Sequence, residues 1–542
     1  MITLGVSRVH NSAVSLLKDG EIVFHIENER LSNLKYDGLP FHTLSKLPEY
    51  TNHVDQICLA GVGQTMLCET WLQEDMYTAF IRRLNKSFLS HETITYDLWE
   101  HHHLMHASCS FYNSGFDKAL CIIKDGMGSD YTITDDRFIE GSYGRESSST
   151  FIASYPAKFE LVDKQVIVGF PCDISIGDVH VTNKPSEALT FQKTSKLFGF
   201  HELDAGKVMG MSSYGKKESH QTLNSVRFTN ENLRTGYIDA TIDEDFQSRA
   251  NFAYSLQKQS QERVKKYILE MVKKTGIKNV CLSGGFFLNC VANYYYLEDL
   301  PDDIKIYIEP ISSDAGTSLG AAKLIWHQQS GDTTIRKQSS IYYGFKYPYY
   351  ERQIISKLED ETYEHVKYED VAKLISQRNI VAIYQGRSEA GPRALGNRSI
   401  LYDPRDPNGR DFVNEVKNRE WFRPFAGSIL HEETNKWFDM RGLEESPFMM
   451  YAVNVLQPEK IPAITHVDNT CRVQTVKREQ NEHYYNLISA FNDLTGVPIL
   501  FNTSFNLAGD CIVETIDDAL RTIRNSNIKY LYLPEFSLLI TK

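Results

Sequence analysis

Between Gln385 and Arg405 the chain reads QGRSEAGPRALGNRSILYDPR, which places Arg387, Arg393, Arg398 and Arg405 among Gly386, Gly391, Gly396 and two prolines. Guanidinium groups are permanently charged forks that meet phosphate or carboxylate oxygens in pairs, and glycine lets backbone N–H groups come close to an anion. The preceding Asn379 to Tyr384, NIVAIY, is a β-branched run that predicts a buried strand. The arginines would then begin where a strand ends, the place where open α/β sheets hold ligands. A solvated basic loop is the alternative, but such a loop needs no comparable density of glycine and proline. Further along, Lys417, Arg419 and Arg423 cluster in VKNREWFRPF, and Arg472 lies in HVDNTCR. Asn502, Thr503, Ser504 and Asn506 follow the apolar run Val497 to Phe501. These segments predict a cationic pocket supplemented by neutral amides and hydroxyls, able to bind phosphate-bearing anions and lower the repulsion between them. For residues 502–506 a polar turn that satisfies its own backbone is the alternative.

A second group has metal-ligand spacing. His102 and His106 are four apart, so a helix over residues 100–113 would put both imidazoles on one face. Asp125 follows the apolar run Ala119 to Lys124, and Asp314 follows Ile304 to Ile308. Two nitrogens and two carboxylates would suit Fe(II) or a similar divalent ion, without separating iron from manganese, zinc or magnesium. A solvated histidine-rich helix start is the alternative, and His101 and His103 fall outside the proposed set. Ser283-Gly284-Gly285 with Asn289, and Gly206-Lys207-Val208-Met209-Gly210, read as glycine turns that could cradle phosphates or merely reverse the chain. No GxxxxGK[ST] occurs, so a P-loop mechanism has no support. His10, in SRVHNSA, is a candidate general base, with a surface histidine after a strand as the competing explanation.

The elements that must position these groups are legible in part. Ile2 to Val6, Ala13 to Leu17 and Glu21 to Ile26 alternate with the turn Asp19-Gly20 as strands of a hairpin would. Ala119 to Lys124 and Asn279 to Leu282 are short apolar runs ending in Asp125-Gly126 and Ser283-Gly284-Gly285. Phe252, Leu256, Val264, Tyr267, Ile268, Met271 and Val272 recur at helical spacing, with Gly276 as the stop. Residues 140–190 read as an inserted hairpin region without chemistry. The polar stretch His327 to Ser340 is the best linker, and it separates a domain at 1–335 from one at 336–542.

At 542 residues the chain exceeds one core, and its 42% hydrophobic and 24% charged content is that of a globular α/β protein. No apolar run approaches the roughly 20 residues that span a bilayer, so no membrane partner is expected. The polar N-terminus lacks a secretion signal, and the cysteines at 58, 68, 109, 121, 172, 281, 290, 471 and 511 form no CxxC, which together predict a cytoplasmic protein with reduced, mostly buried thiols. A net charge of -12 disfavours broad nucleic-acid binding but leaves a local basic cleft open.

The arginine run is similar to the signature of the NodU/CmcH family of O-carbamoyltransferases. Eight further blocks fit in order: HHHLMHASCSFYNSGF (101–116), KDGMGSD (124–130), GKVMGMSSYG (206–215), LSGGFFLNCVAN (282–293), PISSDAGTSLGAA (310–322), VKNREWFRPFAGSIL (416–430), HVDNTCRVQTV (466–476) and FNTSFNLAGDCIVETIDDAL (501–520). The resemblance implies an N-terminal Kae1-like domain of the actin and sugar-kinase (ASKHA) type, followed by a smaller YrdC-like α/β domain. It implies His102, His106, Asp125 and Asp314 as metal ligands, and a two-stage reaction with ATP and carbamoyl phosphate as substrates and Mg²⁺ assisting. Carbamoyl-adenylate would form in the YrdC-like domain, and the carbamoyl group would pass in the Kae1-like domain to an acceptor hydroxyl.

The family's EEER-like cluster is Glu27-Asn28-Glu29-Arg30 here, and its GLAPYG is Gly210-Met211-Ser212-Ser213-Tyr214-Gly215, departures that bear on the acceptor. That acceptor is open among sugar, antibiotic or other small-molecule alcohols and a nucleobase hydroxymethyl group, and a homodimer is compatible with the sequence. Two other classes compete: threonylcarbamoyl-adenylate chemistry for tRNA, and a non-enzymatic ATP-binding regulator.

Overall fold

The computed structural model describes residues 1–62, 75–85, 87–90, 92–138, 141–216, 223, 226–229, 232–238 and 242–542. The chain divides into two compact units, Met1–Ser32 with Tyr36–Gln338, and Asn33–Lys35 with Ser339–Lys542. Cys68, expected as a reduced thiol, lies outside the described residues, and the described cysteines are free thiols, all buried except the partly exposed Cys172. Among the described residues no helix is long and apolar enough to cross a membrane.

The first unit repeats one strand path. Its five-stranded sheet runs Glu21–Glu27, Ala13–Lys18, Ile2–Ser7, Gln56–Ala60, Ile94–Asp97. Ile2–Ser7 pairs antiparallel with its hairpin partner and parallel with Gln56–Ala60. The larger sheet contains the same order: Lys158–Ile167, Tyr143–Ser154, Lys118–Lys124, Asn279–Ser283, Lys305–Ile308, again antiparallel on the hairpin side of Lys118–Lys124 and parallel on the other. This duplicated path is the α/β architecture that the ASKHA expectation requires. It also corrects the reading of 140–190 as an insertion. Tyr143–Ser154 and Lys158–Ile167 are core strands of the second repeat, and only Asp173–Ile176 and Val179–Thr182 extend its edge. The polar run Glu146 to Thr150 disguised the first of them, since those five consecutive residues are buried in the sheet although none is apolar.

Two helices pack on these sheets and bring the chemistry-bearing loops together. His102–Ser114 lies against Ala315–Ser330 so closely that a Cβ on Gly320 would come within 2.0 Å of the Met105 carbonyl. Ala315–Ser330 also rests on the first sheet, where a Cβ on Gly5 would meet the Ser318 carbonyl at 1.9 Å. That helix runs through His327, whose ring stacks on Tyr112 at 4.1 Å, so the expected linker starts only after Ser330. The helix expected over 252–272 spans Phe246–Thr275, capped by Asp245 and closed by Gly276 at φ 71°.

The second unit is a mixed α/β domain on a ten-stranded sheet. Val381–Tyr384 lies beside Arg398–Tyr402, followed by Ile499–Ser504, Ala426–Leu430 and Thr470–Val476. Register places Leu401, Asn502, Ala426 and Arg472 in one row across four neighbouring strands.

Candidate functional site

In the first unit, His102 and His106 occupy the first turns of their helix, Asp125 follows the central strand Lys118–Lys124, and Asp314 precedes the helix Ala315–Ser330. One donor atom from each converges within 4.8 Å of the others, and all four residues are buried. His102 Nε2 stands 3.5 Å from Asp125 Oδ2 and 3.6 Å from Asp314 Oδ1, and His106 Nε2 is also 3.6 Å from Asp314 Oδ1. The Nδ1 atoms of both rings are buried without a hydrogen-bond partner, which leaves Nε2 as the ring nitrogen aimed at the carboxylates. This is no solvated helix start: His102, His103 and His106 are all inaccessible.

The electrostatics agree with a cation site. Burial opposes charge on His102, yet Asp314 and Asp125 hold it up at about 10. Burial pushes the two carboxyls up, and the imidazoles around them bring both below the ordinary carboxylate range. With no ion bound, the two buried carboxylates draw a proton onto His102, and a divalent ion held by the same N₂O₂ donor set, which suits a first-row metal, would take that proton's place. The residues therefore fit the group. His10 follows the central strand of the first sheet, as Asp125 follows that of the second, and its Nε2 lies 3.7 Å from Asp314 Oδ2 with the side chain half-exposed.

The residues expected to cradle nucleotide in this unit lie differently. Gly206 to Gly210 is not a turn but the interior of the helix Ala205–Ser212, where Lys207 Nζ pairs with Asp204 at 2.9 Å. Spacing of two glycines is compatible with either state, and the intervening Lys-Val-Met carries good helix formers. Gly284 does turn, at φ 98°, but the Gly285 N–H donates to Asp125 Oδ1 at 3.0 Å. Asn289 caps the helix Cys290–Asp299 and exchanges two amide hydrogen bonds with Gln257, at 2.8 and 3.2 Å. Its side chain thus serves the local fold.

In the second unit the cations divide into two sets. Arg398 is fully buried and donates to the carbonyls of Gln385, Gly386, Asn397 and Glu514, with its guanidinium 3.8 Å above the Tyr384 ring. Arg387 donates to the carbonyls of Gly344 and Tyr343, and Arg405 is forked onto Asp403. These three, expected to meet anions, instead pin their own loops, because a five-donor fork fits clustered carbonyls as well as phosphates. Glu389, which the sequence reading passed over, organises the same run. Its Oε1 accepts N–H groups from Leu395, Asn397 and Arg398 at 2.7, 2.9 and 3.3 Å.

The second set is electrostatically frustrated. Arg419 is held well below the ordinary guanidinium range by burial and by Arg423, Arg472 and Arg393, with Glu420 pulling the other way. Burial, Arg419 and Arg423 likewise depress Lys417, whose ammonium donates to the Ser504 carbonyl and, at 3.1 Å, to Asn506 Oδ1. Arg393, Lys417, Arg419, Arg423, Arg472, Ser504 and Asn506 are thereby brought together. Asn502 sits in the Arg472 row, and its Nδ2 donates to Ala394, Ser428 and Gln474 while its buried Oδ1 has no hydrogen-bond partner. Nothing in composition marked Ser428 or Gln474; only strand register places them beside Asn502.

Residues 63–323 match the carbamoyltransferase N-terminus and residues 372–540 the carbamoyltransferase C-terminus. Nodulation protein NolNO of Sinorhizobium fredii is 30% identical over 572 residues, covering 97% of this chain and 78% of that protein. The 3'-hydroxymethylcephem-O-carbamoyltransferase of Amycolatopsis lactamdurans is 33% identical over 237 residues, 44% of each chain. Full-length HypF in its phosphate- and nucleotide-bound form aligns with a TM-score of 0.39 and 16% identity over 61% of this chain and 47% of that one. With matches to both halves and a full-span relative at that identity, the chain belongs to the carbamoyltransferase family.

Proposed function

We propose that this enzyme is an ATP-dependent O-carbamoyltransferase that works through carbamoyl-adenylate. The observation that carries the reading is the cluster of Arg393, Lys417, Arg419, Arg423 and Arg472, in which burial and the neighbouring cations depress the proton affinity of Lys417 and Arg419. Cations held together against their own repulsion are stabilised by a polyanion, and ATP with carbamoyl phosphate supplies one. In the second unit, water would cleave carbamoyl phosphate to phosphate and carbamate. A carbamate oxygen would attack the ATP α-phosphorus, giving carbamoyl-adenylate and pyrophosphate, whose charge the guanidinium groups would stabilise, with Mg²⁺ on the phosphates. The buried Asn502 Oδ1 offers an acceptor for the carbamoyl N–H.

Transfer would follow in the first unit. The acceptor oxygen bonds to the carbamoyl carbon, the bond to AMP breaks, and the hydroxyl proton passes to His10 Nε2, whose half-exposed ring can reach an incoming alcohol. His102, His106, Asp125 and Asp314 would hold a divalent metal, Fe(II) fitting the donor set, which when bound supplies Lewis acidity beside the reacting group. The acceptor would be an alcohol, either a sugar, antibiotic or other small molecule, as in the name of the 3'-hydroxymethylcephem-O-carbamoyltransferase, or a nucleobase hydroxymethyl group.

The test is pyrophosphate release from ATP with and without carbamoyl phosphate, followed by mass spectrometry of candidate alcohols. Dependence on carbamoyl phosphate and a carbamoyl mass increment are the expected results. Release that ignores carbamoyl phosphate would overturn the activation half.

A further inference from the structure

The helix that carries His102 and His106 has no cap of its own: His101 precedes it and offers no side-chain acceptor to the orphan N–H groups of the first turn. Those groups are met from distant parts of the chain. The His102 N–H donates to Ser129 Oγ at 3.1 Å, and the His103 N–H to Glu146 Oε2 at 3.4 Å. The same Glu146 oxygen accepts the Ser129 N–H at 3.2 Å, and the other accepts from Lys164 Nζ. The main chain is joined at the same place, with the Gly128 N–H donating to the Glu146 carbonyl at 2.7 Å and the Glu146 N–H to the Ser129 carbonyl at 3.0 Å. Ser129 and Glu146 are buried, and Gly128 admits no side chain, since a Cβ there would lie 2.8 Å from both Glu146 Oε2 and His103 Nε2.

Asp125 opens the loop that ends at Ser129. One carboxylate therefore ties together the helix that supplies two nitrogens and the loop that supplies an oxygen. Resting on the metal reading above, we propose that Glu146 is a positioning residue for this site, a remote N-cap that sets the His102 and His106 turns against the Asp125 loop. A carboxylate is also favourable at a helix N-terminus, and Lys164 restrains it there. Neither residue contacts the donor atoms; Glu146 holds the segments that carry them and adds a negative charge near His102 and His103. Partners of this kind commonly set metal affinity by about 10–100-fold.

The full-length chain is titrated with Co(II), read by its visible ligand-field bands, in the wild type and in four variants: Glu146→Ala, Glu146→Ala with Lys164→Met, Glu146→Gln with Lys164→Met, and Asp314→Asn. Glu146→Ala, alone or with Lys164→Met, is expected to weaken Co(II) binding about 10–100-fold and to alter the bands. Glu146→Gln with Lys164→Met keeps an oxygen for the two N–H groups and removes the ammonium that would face the amide nitrogen, so affinity returns to within about threefold of wild type. Wild-type affinity and bands in Glu146→Ala would overturn the positioning role while leaving the metal site intact. Absence of bands in the wild type, or bands unchanged by Asp314→Asn, would instead sink the metal reading itself. If Glu146→Ala does not fold, Ser129→Ala, which removes the His102 acceptor together with the hydroxyl's bond to the Trp99 carbonyl, takes its place. Unchanged Co(II) affinity there overturns the proposal.

Discussion

The Nε2 atoms of His102 and His106 face each other at 3.2 Å, one helical turn apart, with Asp314 Oδ1 3.6 Å from each. A proton on one ring nitrogen makes that contact a hydrogen bond, and a cation held by both rings and the two acids would take the proton's place. Geometry of this kind is what an i, i+4 histidine pair provides when a helix start is buried against carboxylates.

Removing one ligand should separate the two half-reactions. His106→Ala is expected to lower bound metal to below about a tenth of wild type and to slow carbamoyl transfer by about 10²-fold or more, while carbamoyl-phosphate-dependent pyrophosphate release persists. Metal analysis of the purified chain, beside the two assays, checks this. Chelation of the wild type followed by return of Mg²⁺ alone should have the same split effect, and full metal content in the variant would remove His106 from the ligand set.

The frustrated cations predict a trade between stability and activity. Arg419→Met takes one guanidinium from the group formed with Arg393, Arg423 and Arg472 and keeps an unbranched side chain against the Phe425 ring. Thermal unfolding without ATP is expected to move up by a few degrees, roughly 1 kcal/mol, while pyrophosphate release falls by about 10²-fold or more. Arg393→Ala should lose pyrophosphate release as well. A lower melting temperature for Arg419→Met would mean that its charge is compensated in the free enzyme.

What the sequence made legible follows from how local each signal is. The histidine pair is an i, i+4 pattern on one helix, the strand-end position of Asp125 follows from Ala119 to Lys124, and the cationic segment around Arg419 is continuous, so each could be read directly. The three arginines that serve the fold, Arg387, Arg398 and Arg405, were indistinguishable from anion binders because their partners are main-chain carbonyls or, for Arg405, a nearby acid. Glu146 gave no signal at all: it meets His103 across 43 positions of sequence. Asn28, which departs from the family's acidic cluster, donates to Asp37 Oδ2 at 2.7 Å and accepts from Thr43, contacts that an acid could not make to Asp37 without repulsion. That departure has a local packing partner in Asp37 and Thr43.

Arg398 gives the sharpest contrast within its own sequence motif. Its fork serves the Gln385, Gly386, Asn397 and Glu514 carbonyls from a fully buried position. Arg398→Lys keeps the charge but cannot reach all four, leaving buried acceptors that cost about 1–3 kcal/mol each. The variant should be destabilised by about 2–4 kcal/mol in denaturant unfolding, with the Michaelis constant for ATP unchanged in whatever remains folded. A selective rise in that constant at full stability would return Arg398 to the substrate pocket.

A pH effect is built into the first sheet by His25. The ring is inaccessible, burial pushes its pKa down to about 3, Nδ1 meets Ser15 Oγ at 2.8 Å, and Nε2 has no partner to receive a second proton. The folded chain therefore keeps His25 neutral well below the pH at which an unfolded histidine, near 6.5, binds a proton. Its contribution to stability is complete above about pH 6.5 and is lost as pH falls toward 3, at about 1.4 kcal/mol per unit. Hydrogen exchange of the amides in Ile2–Ser7 and Ala13–Lys18 reads this locally and avoids fitting a two-unit unfolding curve. Comparing wild type with His25→Gln at each pH cancels the intrinsic exchange rates. The variant should be the less protected at pH 7.5, by about 1–2 kcal/mol for the altered Ser15 contact, and the gap should close and then reverse near pH 5. A constant gap across that range would show that His25 takes up its proton in the folded state, and the titrating element would have to be sought among the carboxylates.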